Sequence, residues 1–204
     1  MKFPQVSADL SVRWCSAYLK IDVGRILMNN DPQFQGQKTL FITGERAQES
    51  TARAKYLEAE EHHSSGRGRL IHQWRPILHW DEQKVWEIIK RHRILPHPCY
   101  RLGWGRASCM TCIFGSPNQW ATVRVIAPEQ FERIAQYEEE FGLTIQRKLS
   151  IRQMADKGTP YMAACNRPEL IRMALYEGYD EVVRVPEGEW VLPAGAFGES
   201  AGPT

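Results

Sequence analysis

The chain has 204 residues, of which 43% are hydrophobic and 25% are charged. This composition predicts a folded domain of ordinary size and excludes an intrinsically disordered chain. The formal net charge of +2 is too balanced to indicate a nucleic-acid binder by charge alone. No apolar run approaches the roughly 20 residues of a membrane span, and the N-terminus lacks the apolar core of a secretory signal. We therefore expect a cytoplasmic protein without a membrane partner.

The first part of the chain is predicted to alternate helices with short strands. Residues 8–29 have the apolar spacing of a helix, and residues 38–43 form a short apolar run that is typical of a buried strand. Residues 45–62 predict an amphipathic helix. A second extended segment follows over residues 70–78, and its proline marks an edge or an end of the strand. Residues 81–93 then predict another helix.

The second part is predicted to be mostly helical. Residues 95–117 are irregular and rich in Pro, Gly, aromatic and Cys residues, and a loop of that length is usually functional or tied down. The remaining predicted elements are helices over 128–141, 150–157 and 167–177, a small strand over 181–185, and a frayed tail over 193–204.

Five cysteines are spaced too unevenly to suggest a disulfide framework. Cys109 and Cys112 form a C-x-x-C pair, whose spacing lets two thiolates converge on one metal or cluster. Cys99 lies on the same irregular segment and Cys15 on the first predicted helix, so that four thiolates could complete a zinc site or a [4Fe–4S] cluster. The alternative is that the pair binds nothing and that Cys15 and Cys165 are small buried hydrophobic side chains.

The segment from Thr43 to Arg53 joins a predicted strand to a predicted helix, and this arrangement suits an anion. Gly44 permits a sharp turn, and Arg46 and Arg53 add positive charge beside the first amides of the helix. The ligand would be a phosphate or a sulfate. The alternative is an ordinary capped helix whose arginine side chains are solvated.

A basic stretch is hidden in the balanced total charge. Residues 67–106 carry nine Lys and Arg side chains against three acids, and this stretch could face a nucleotide, a nucleic acid or water. The acidic runs 58–61 and 138–140 offset it and are interpreted as solvated helix faces. Trp104, between two glycines, is the best candidate for an exposed aromatic platform on which a base could stack.

Several short motifs occur in order along the chain. They are Arg75-Pro76-Ile77-Leu78-His79-Trp80, Val85-Trp86, Leu95-Pro96, Cys99-Tyr100, Gly103-Trp104 and Ser108-Cys109-x-x-Cys112. In this order they resemble the motifs of the phosphoadenylyl-sulfate (PAPS) reductase family, and the resemblance covers roughly residues 10–115.

Two further segments strengthen the resemblance. One is similar to the family's Gly-x-Arg-x-x-Gln-Ser segment, which contacts the phosphates and sulfate of the nucleotide: it reads Gly44-x-Arg46-x-x-Glu49-Ser50-x-x-Arg53. The other is similar to the cysteine-then-lysine segment of cluster-bearing members: it reads Trp14-Cys15, then Leu19-Lys20.

The resemblance implies an α/β fold, namely a Rossmann-like sandwich of the adenine-nucleotide alpha-hydrolase type with a helical C-terminal part. It implies a PAPS-reductase-like domain with a cysteine cluster over residues 1–120, a helical extension over 121–192 and a flexible tail over 193–204. The implied ligands of a [4Fe–4S] cluster, with Zn²⁺ as the alternative, are Cys15, Cys99, Cys109 and Cys112. The implied contacts of an adenine nucleotide are Gly44, Arg46, Glu49, Ser50 and Arg53, with Lys20 and Arg106 as nearby cations.

The sequence departs from the family in two places. It lacks the Ser-Gly-Gly-x-Asp-Ser loop that follows the first strand, and it lacks the Glu-Cys-Gly-x-His segment that carries the nucleophile of the reductases. We therefore expect a sheet without its N-terminal strand, whose open edge is completed by a protein partner or a second copy of the chain. The cysteine pattern is also similar to the sulfur-transfer subunit of DNA phosphorothioation systems.

Three functions follow as alternatives. The first is reductive sulfur metabolism or sulfur transfer with an adenylated or phosphosulfate nucleotide, which would make the chain an oxidoreductase or a sulfur transferase. The second is a component of a system that modifies DNA or RNA with sulfur. The third is a non-catalytic module with a Cys₄ zinc site.

Overall fold

The computed structural model describes residues 3–7, 14–66, 68–176 and 183–199. Contacts divide the chain into two compact units, and each is described by itself. The N-terminal unit lies within residues 7–82, and the C-terminal unit runs from residue 83 and includes residues 3–6. The division into 1–120, 121–192 and 193–204 remains a prediction about domain identity.

A helical segment opens the described part of the N-terminal unit. It consists of α1 (Trp14–Ser16), a π-helical turn (Ala17–Ile21) and α2 (Asp22–Asn30). The predicted helix over residues 8–29 is confirmed from Trp14 onward, and residues 8–13 lie outside the described part. Met28 is the one buried side chain of this segment, and its exposed apolar side chains are Tyr18, Leu19, Ile21, Val23, Ile26 and Leu27.

A small mixed sheet follows in the N-terminal unit. Its strands are β1 (Lys38–Ile42), β2 (Ala59–Glu61) and β3 (Leu70–Trp74). The strand order is β1-β3-β2, in which β1 runs parallel to β3 and β2 runs antiparallel to it. The α/β class is therefore confirmed, while the Rossmann-like arrangement remains a prediction.

The expectation that the first strand is buried is wrong. β1 is an edge strand, and Leu40 and Ile42 are 55% and 57% exposed. Their register partners on β3 are His72 and Trp74, so these four side chains share one sheet face, because alternate residues of a strand point to the same side. That face is open, whereas Ile71 on the opposite face of β3 is fully buried.

The predicted helix over residues 45–62 is also wrong. The segment forms two short 3₁₀ turns (Ala47–Glu49 and Arg53–Lys55) and then enters β2. Ser50 between the turns has an extended backbone, with φ −169° and ψ 158°. Pairing of β2 with β3 satisfies the backbone groups that a helix would have used, so tertiary contacts outweigh the local propensity.

Six helices run through the rest of the described chain, the first of them starting at the boundary between the units. They are α3 (Glu82–Arg91), α4 (Pro98–Arg101), α5 (Pro117–Ile126), α6 (Pro128–Phe141), α7 (Ile151–Asp156) and α8 (Pro168–Leu175). The four helices predicted over 81–93, 128–141, 150–157 and 167–177 are thereby confirmed. The predicted strand over 181–185 falls partly outside the described residues, and its Arg184 forms an isolated bridge with Ile94.

Helix α5 was not predicted, although it lies at the centre of the C-terminal unit. Five consecutive residues, 119–123, are buried, and α5 packs against α6 and α7. A signal was present in the sequence, because Ser116 and Gln119 form a capping box around a proline at the first position of the helix. The apolar residues of α5 do not follow one face, so periodicity gave no indication.

Two further expectations about the C-terminal unit are wrong. The tail over 193–204 is not frayed in its described part, because Pro193 and Gly195 are buried and the Gly195 N–H donates to the Tyr100 carbonyl at 2.8 Å. The acidic run 138–140 is not wholly solvated, because Glu138 is only 6% exposed.

Within the described ranges, no helix is both long and apolar enough to cross a bilayer.

Glu138 ties three parts of the C-terminal unit together. Its two carboxylate oxygens accept hydrogen bonds from the backbone N–H groups of Ile145 and Ile151, both at 2.9 Å. Both of these donors are buried, and Ile151 is the first residue of α7. The carboxylate therefore joins α6 to the loop after it and to the start of α7.

We expect Glu138→Ala to lower the free energy of unfolding by about 2–5 kcal/mol, because it leaves two buried N–H donors without an acceptor. Glu139→Ala, at a neighbouring position that is 73% exposed, is the matched control and should change stability by less than about 0.5 kcal/mol. Urea unfolding of the two variants measures the difference. Equal stability of the two would contradict this role of Glu138.

Candidate functional site

A buried arginine organises the N-terminal unit beside the ends of its strands. Arg75 is 4% exposed, and its Nη2 lies 2.7 Å from Glu60 Oε1 while its Nη1 donates to the Leu57 carbonyl at 2.8 Å. Its Nε lies 3.4 Å from Glu45 Oε2, and its guanidinium lies over the Tyr56 ring at 4.7 Å. Arg75 belongs to the basic stretch 67–106, and the structure uses it inside the fold.

The five predicted nucleotide contacts lie together on the segment that follows β1. Glu49 is placed between the two arginines: its Oε2 lies 2.6 Å from Arg53 Nη1, and its Oε1 lies 3.5 Å from Arg46 Nε. Ser50 Oγ accepts the Arg53 N–H at 3.2 Å. Gly44 begins the segment, and its backbone needs no glycine, because an added Cβ would meet Ile77 Cδ1 at an ordinary 3.7 Å.

The positive charge of this segment comes from side chains. The expected helix N-terminus is absent here, because the first turn after Gly44 is a three-residue 3₁₀ turn. The guanidinium of Arg46 is fixed by two further contacts, with Nη1 at 2.9 Å from Gln48 Oε1 and at 3.4 Å from the Trp80 carbonyl. We call Arg46, Glu49 and Arg53 the arginine cradle. Its two cations share one carboxylate, so the cradle keeps a net positive charge. An anion of higher charge would be attracted to it more strongly than the carboxylate is.

The predicted cluster ligands are distributed over both units. Cys15 lies on α1 in the N-terminal unit, and the exposed Lys20 follows it on the π-helical turn. The other predicted ligands and Arg106 belong to the C-terminal unit, where Cys109 is exposed while Cys99 and Cys112 are half-buried. All five cysteines are free thiols.

Cys99 has the most structured surroundings of these thiols. Its backbone N–H donates to His97 Nδ1 at 3.2 Å, and its carbonyl accepts the N–H of Trp104 at 3.0 Å. The side chain lines an apolar cavity of about 280 Å³ together with Trp104 and Met110. Burial raises the pKa of the Cys99 thiol to about 11, so this thiol is neutral at pH 7.

The fit to a metal or cluster is incomplete in this arrangement. Thiolates suit iron–sulfur clusters and zinc, and three of the cysteines lie on one segment of 14 residues, 99–112. Among the described residues, however, no three His, Cys, Asp or Glu side chains are grouped closely enough to hold a metal ion. The donor chemistry fits the predicted cluster, whereas the thiol positions do not form a ready site.

The expectation of an exposed platform at Trp104 is wrong. Trp104 is 5% exposed, and its ring packs edge-on against Tyr161 with centroids 5.3 Å apart. The basic stretch is likewise used in part for structure, because Arg69 donates to the Ser64 carbonyl at 2.7 Å and to Asn29 Oδ1 at 2.9 Å. Arg67 lies outside the described residues.

These observations define a class of protein: an α/β chain with two arginines paired to one carboxylate after an edge strand, and with a thiol-rich segment further along. Sequence comparison names the family. The profile of the phosphoadenosine phosphosulfate reductase domain matches residues 14–114, and the chain belongs to this family through that region. The resemblance drawn from the short motifs is thereby confirmed.

One relative is similar over a longer stretch. The chain is 35% identical over 137 residues to the protein described as "Uncharacterized 37.8 kDa protein in gpa 5'region" of Escherichia phage 186. The aligned region covers 67% of this chain and 39% of the relative, so the chain spans well under half of that protein's length. No solved structure matches the chain.

Proposed function

We propose that this chain binds an adenine nucleotide that carries a phosphosulfate or phosphate group, and that the arginine cradle holds this group. The observation that carries the proposal is the placement of Arg46 and Arg53 on either side of one carboxylate, within a region that matches the family profile. Two guanidinium groups that approach one point from two sides suit a tetrahedral oxyanion, because each can donate two hydrogen bonds.

Glu49 sets the conditions under which such a ligand binds. Its single negative charge neutralises part of the positive charge of the two arginines while the cradle is empty of ligand. A phosphosulfate carries more charge and more acceptor oxygens, so it gains more from the two guanidinium groups than the carboxylate does. Ligand binding is then an exchange of anions, with Glu49 turned toward solvent.

The reaction class that this ligand supports is reduction or transfer of its sulfur, which would make the chain an oxidoreductase or a sulfur transferase acting in the cytoplasm. We include a [4Fe–4S] cluster on Cys15, Cys99, Cys109 and Cys112 in the proposal, with zinc as the alternative. Lys20 and Arg106 would balance its charge. Such a cluster supplies single-electron transfer or a fixed local charge. Holding it requires Cys99 to leave its apolar surroundings as a thiolate.

A protein partner is the last element of this proposal. β1 lies at the edge of the sheet and carries exposed Leu40 and Ile42, and unpaired edges of this kind favour pairing with another strand. The partner would be a protein or a second copy of the chain that adds a strand beside β1. The nucleic-acid alternative has weaker support, since Arg69 and Arg75 of the basic stretch are engaged inside the fold.

Substitution of either arginine of the cradle should weaken nucleotide binding. We expect Arg46→Ala and Arg53→Ala each to raise the Kd for PAPS about tenfold or more, because each removes charge-assisted hydrogen bonds. Glu49→Gln should lower the Kd by about two- to fivefold, since it removes a competing charge. Isothermal titration calorimetry measures all three values.

Arg25→Ala is the control for these variants. Arg25 lies on α2 in the same unit and pairs with Asp22 at 3.1 Å, so its loss changes the net charge equally without touching the cradle. An unchanged Kd in Arg25→Ala is expected. The proposal is wrong if Arg25→Ala weakens binding as much as the two cradle variants, or if the wild-type chain binds no PAPS.

Anaerobic purification tests the cluster separately from the nucleotide. We expect brown protein that contains iron and acid-labile sulfide, and we expect the double variant Cys109→Ser/Cys112→Ser to lose both. Cys165→Ser is the matched control, because Cys165 is half-buried and its thiol contacts the Tyr161 carbonyl at 3.6 Å, so it should keep the colour. Zinc without iron would support the alternative metal, and absence of both metals would contradict the proposed site.

A further inference from the structure

Three side chains of the C-terminal unit converge on one carboxylate. Ser116 Oγ donates to Glu199 Oε2 at 2.5 Å, and the Tyr161 hydroxyl donates to the same oxygen at 3.2 Å. Asn118 Nδ2 donates to the other oxygen, Oε1, at 2.6 Å. The three donors lie about 40 to 80 residues before Glu199 in the sequence, so the grouping is a product of the fold.

Two of the donors are oriented by a second contact, and the third is held in its protonated form. Ser116 Oγ caps α5 by accepting the Gln119 N–H at 3.2 Å, which leaves its own proton for the carboxylate. Asn118 Oδ1 accepts the Thr159 N–H at 2.8 Å, and this bond turns the amide NH₂ toward Glu199. Burial, followed by smaller contributions that include the Glu199 charge, raises the pKa of Tyr161 to about 12, so the phenol keeps its proton.

Close backbone contacts also hold the chain around Glu199 in this position. Gly195 approaches the Trp104 carbonyl so closely that a Cβ there would overlap it, and a Cβ on Gly105 would lie 2.7 Å from the Glu199 carbonyl oxygen. The Gly195 N–H also donates to the Tyr100 carbonyl at 2.8 Å. Residues 193–199, which we call the strap, therefore lie directly on residues 100–105.

We propose that Ser116, Asn118 and Tyr161 form a carboxylate-binding site, and that Glu199 is the ligand that latches the strap over residues 100–105. The donors are neutral and the site includes the N-terminal end of the ten-residue helix α5, whose partial positive charge favours an anion. A carboxylate suits the site because it has two acceptor oxygens, one of which meets Ser116 and Tyr161 while the other meets Asn118.

The latch has a consequence for the thiol-rich segment. Trp104 contacts the strap through its backbone and lines the cavity that Cys99 also lines. A closed strap fixes Trp104 and thereby the wall of that cavity. Release of Glu199 frees residues 100–105 and gives reagents access to Cys99. This inference stands on the contacts of the strap and does not depend on the proposed nucleotide or cluster.

Hydrogen exchange measured by NMR on the full chain tests the latch. Glu199→Gln keeps the shape of the side chain and removes its charge, and we expect the Gly195 amide to exchange about tenfold faster as the strap opens. Alkylation of Cys99 by iodoacetamide should accelerate in parallel. Glu187→Gln is the control. The Glu187 side chain is 95% exposed and lies before the strap in the sequence, so this substitution should leave both rates unchanged.

A second variant separates the site from general stability. Tyr161→Phe keeps the ring that packs on Trp104 and removes only the hydroxyl donor, so it should produce a smaller acceleration of the same amide. Unchanged exchange of Gly195 in Glu199→Gln overturns the latch. Equal acceleration across α5, α6 and the strap also overturns it, because it would mean that Glu199 supports the unit as a whole.

Acetate provides a chemical test of the site itself. In Glu199→Ala, acetate should bind at the vacated position and shift the side-chain amide resonance of Asn118 in a saturable manner. Chloride at equal ionic strength is the control and should not. Equal shifts with both salts would contradict a carboxylate-binding site.

Discussion

The burial of the Arg75 guanidinium is the constraint on which the N-terminal unit depends. A buried guanidinium is tolerated only when acceptors surround it, and here they come from every strand end nearby: Glu45 after β1, Leu57 before β2 and Glu60 within β2. The contact with Glu45 is an ion pair without hydrogen-bond geometry, at 3.4 Å. Glu45 is the residue before Arg46. The Arg75 side chain, which joins the strands, therefore also positions the start of the arginine cradle through Glu45.

This arrangement bears on the proposed anion site, which has a 3₁₀ turn where a helix N-terminus was expected. The segment after β1 has little regular structure, but both of its ends are fixed. Arg75 holds one end, and the other end enters β2. Side chains on such a segment can approach an anion from two sides, which the single end of a helix does not allow. The net charge of the cradle then depends on Glu49, whose single negative charge is shared between two positively charged guanidinium groups.

The elements predicted correctly from the sequence are those with local signals. Helix α6 has a proline at its first position and Gly142 in a left-handed conformation directly after its end, so both boundaries could be predicted. β2 was missed, because its residues adopt a strand only by pairing with β3. The strap over residues 193–199 was missed for a similar reason: its composition indicates fraying, and only its contacts with distant residues order it.

The candidate site shows the same limit. The motif spacing predicted Arg46, Glu49 and Arg53 as candidate nucleotide contacts, and it also indicated the family. Both depend only on which residues lie near one another in the sequence. Their ion pairing could not be predicted from spacing, and the burial of Trp104 depends on Tyr161, which lies 57 residues further along.

A crystal structure of the chain with bound PAPS would show whether the arginine cradle holds the anionic group of the nucleotide. Phosphate or sulfate oxygens are expected within hydrogen-bond distance of both the Arg46 and Arg53 guanidinium groups, with the Glu49 carboxylate turned out of the cradle. Nucleotide bound elsewhere, with Glu49 still paired to both arginines, would contradict this expectation.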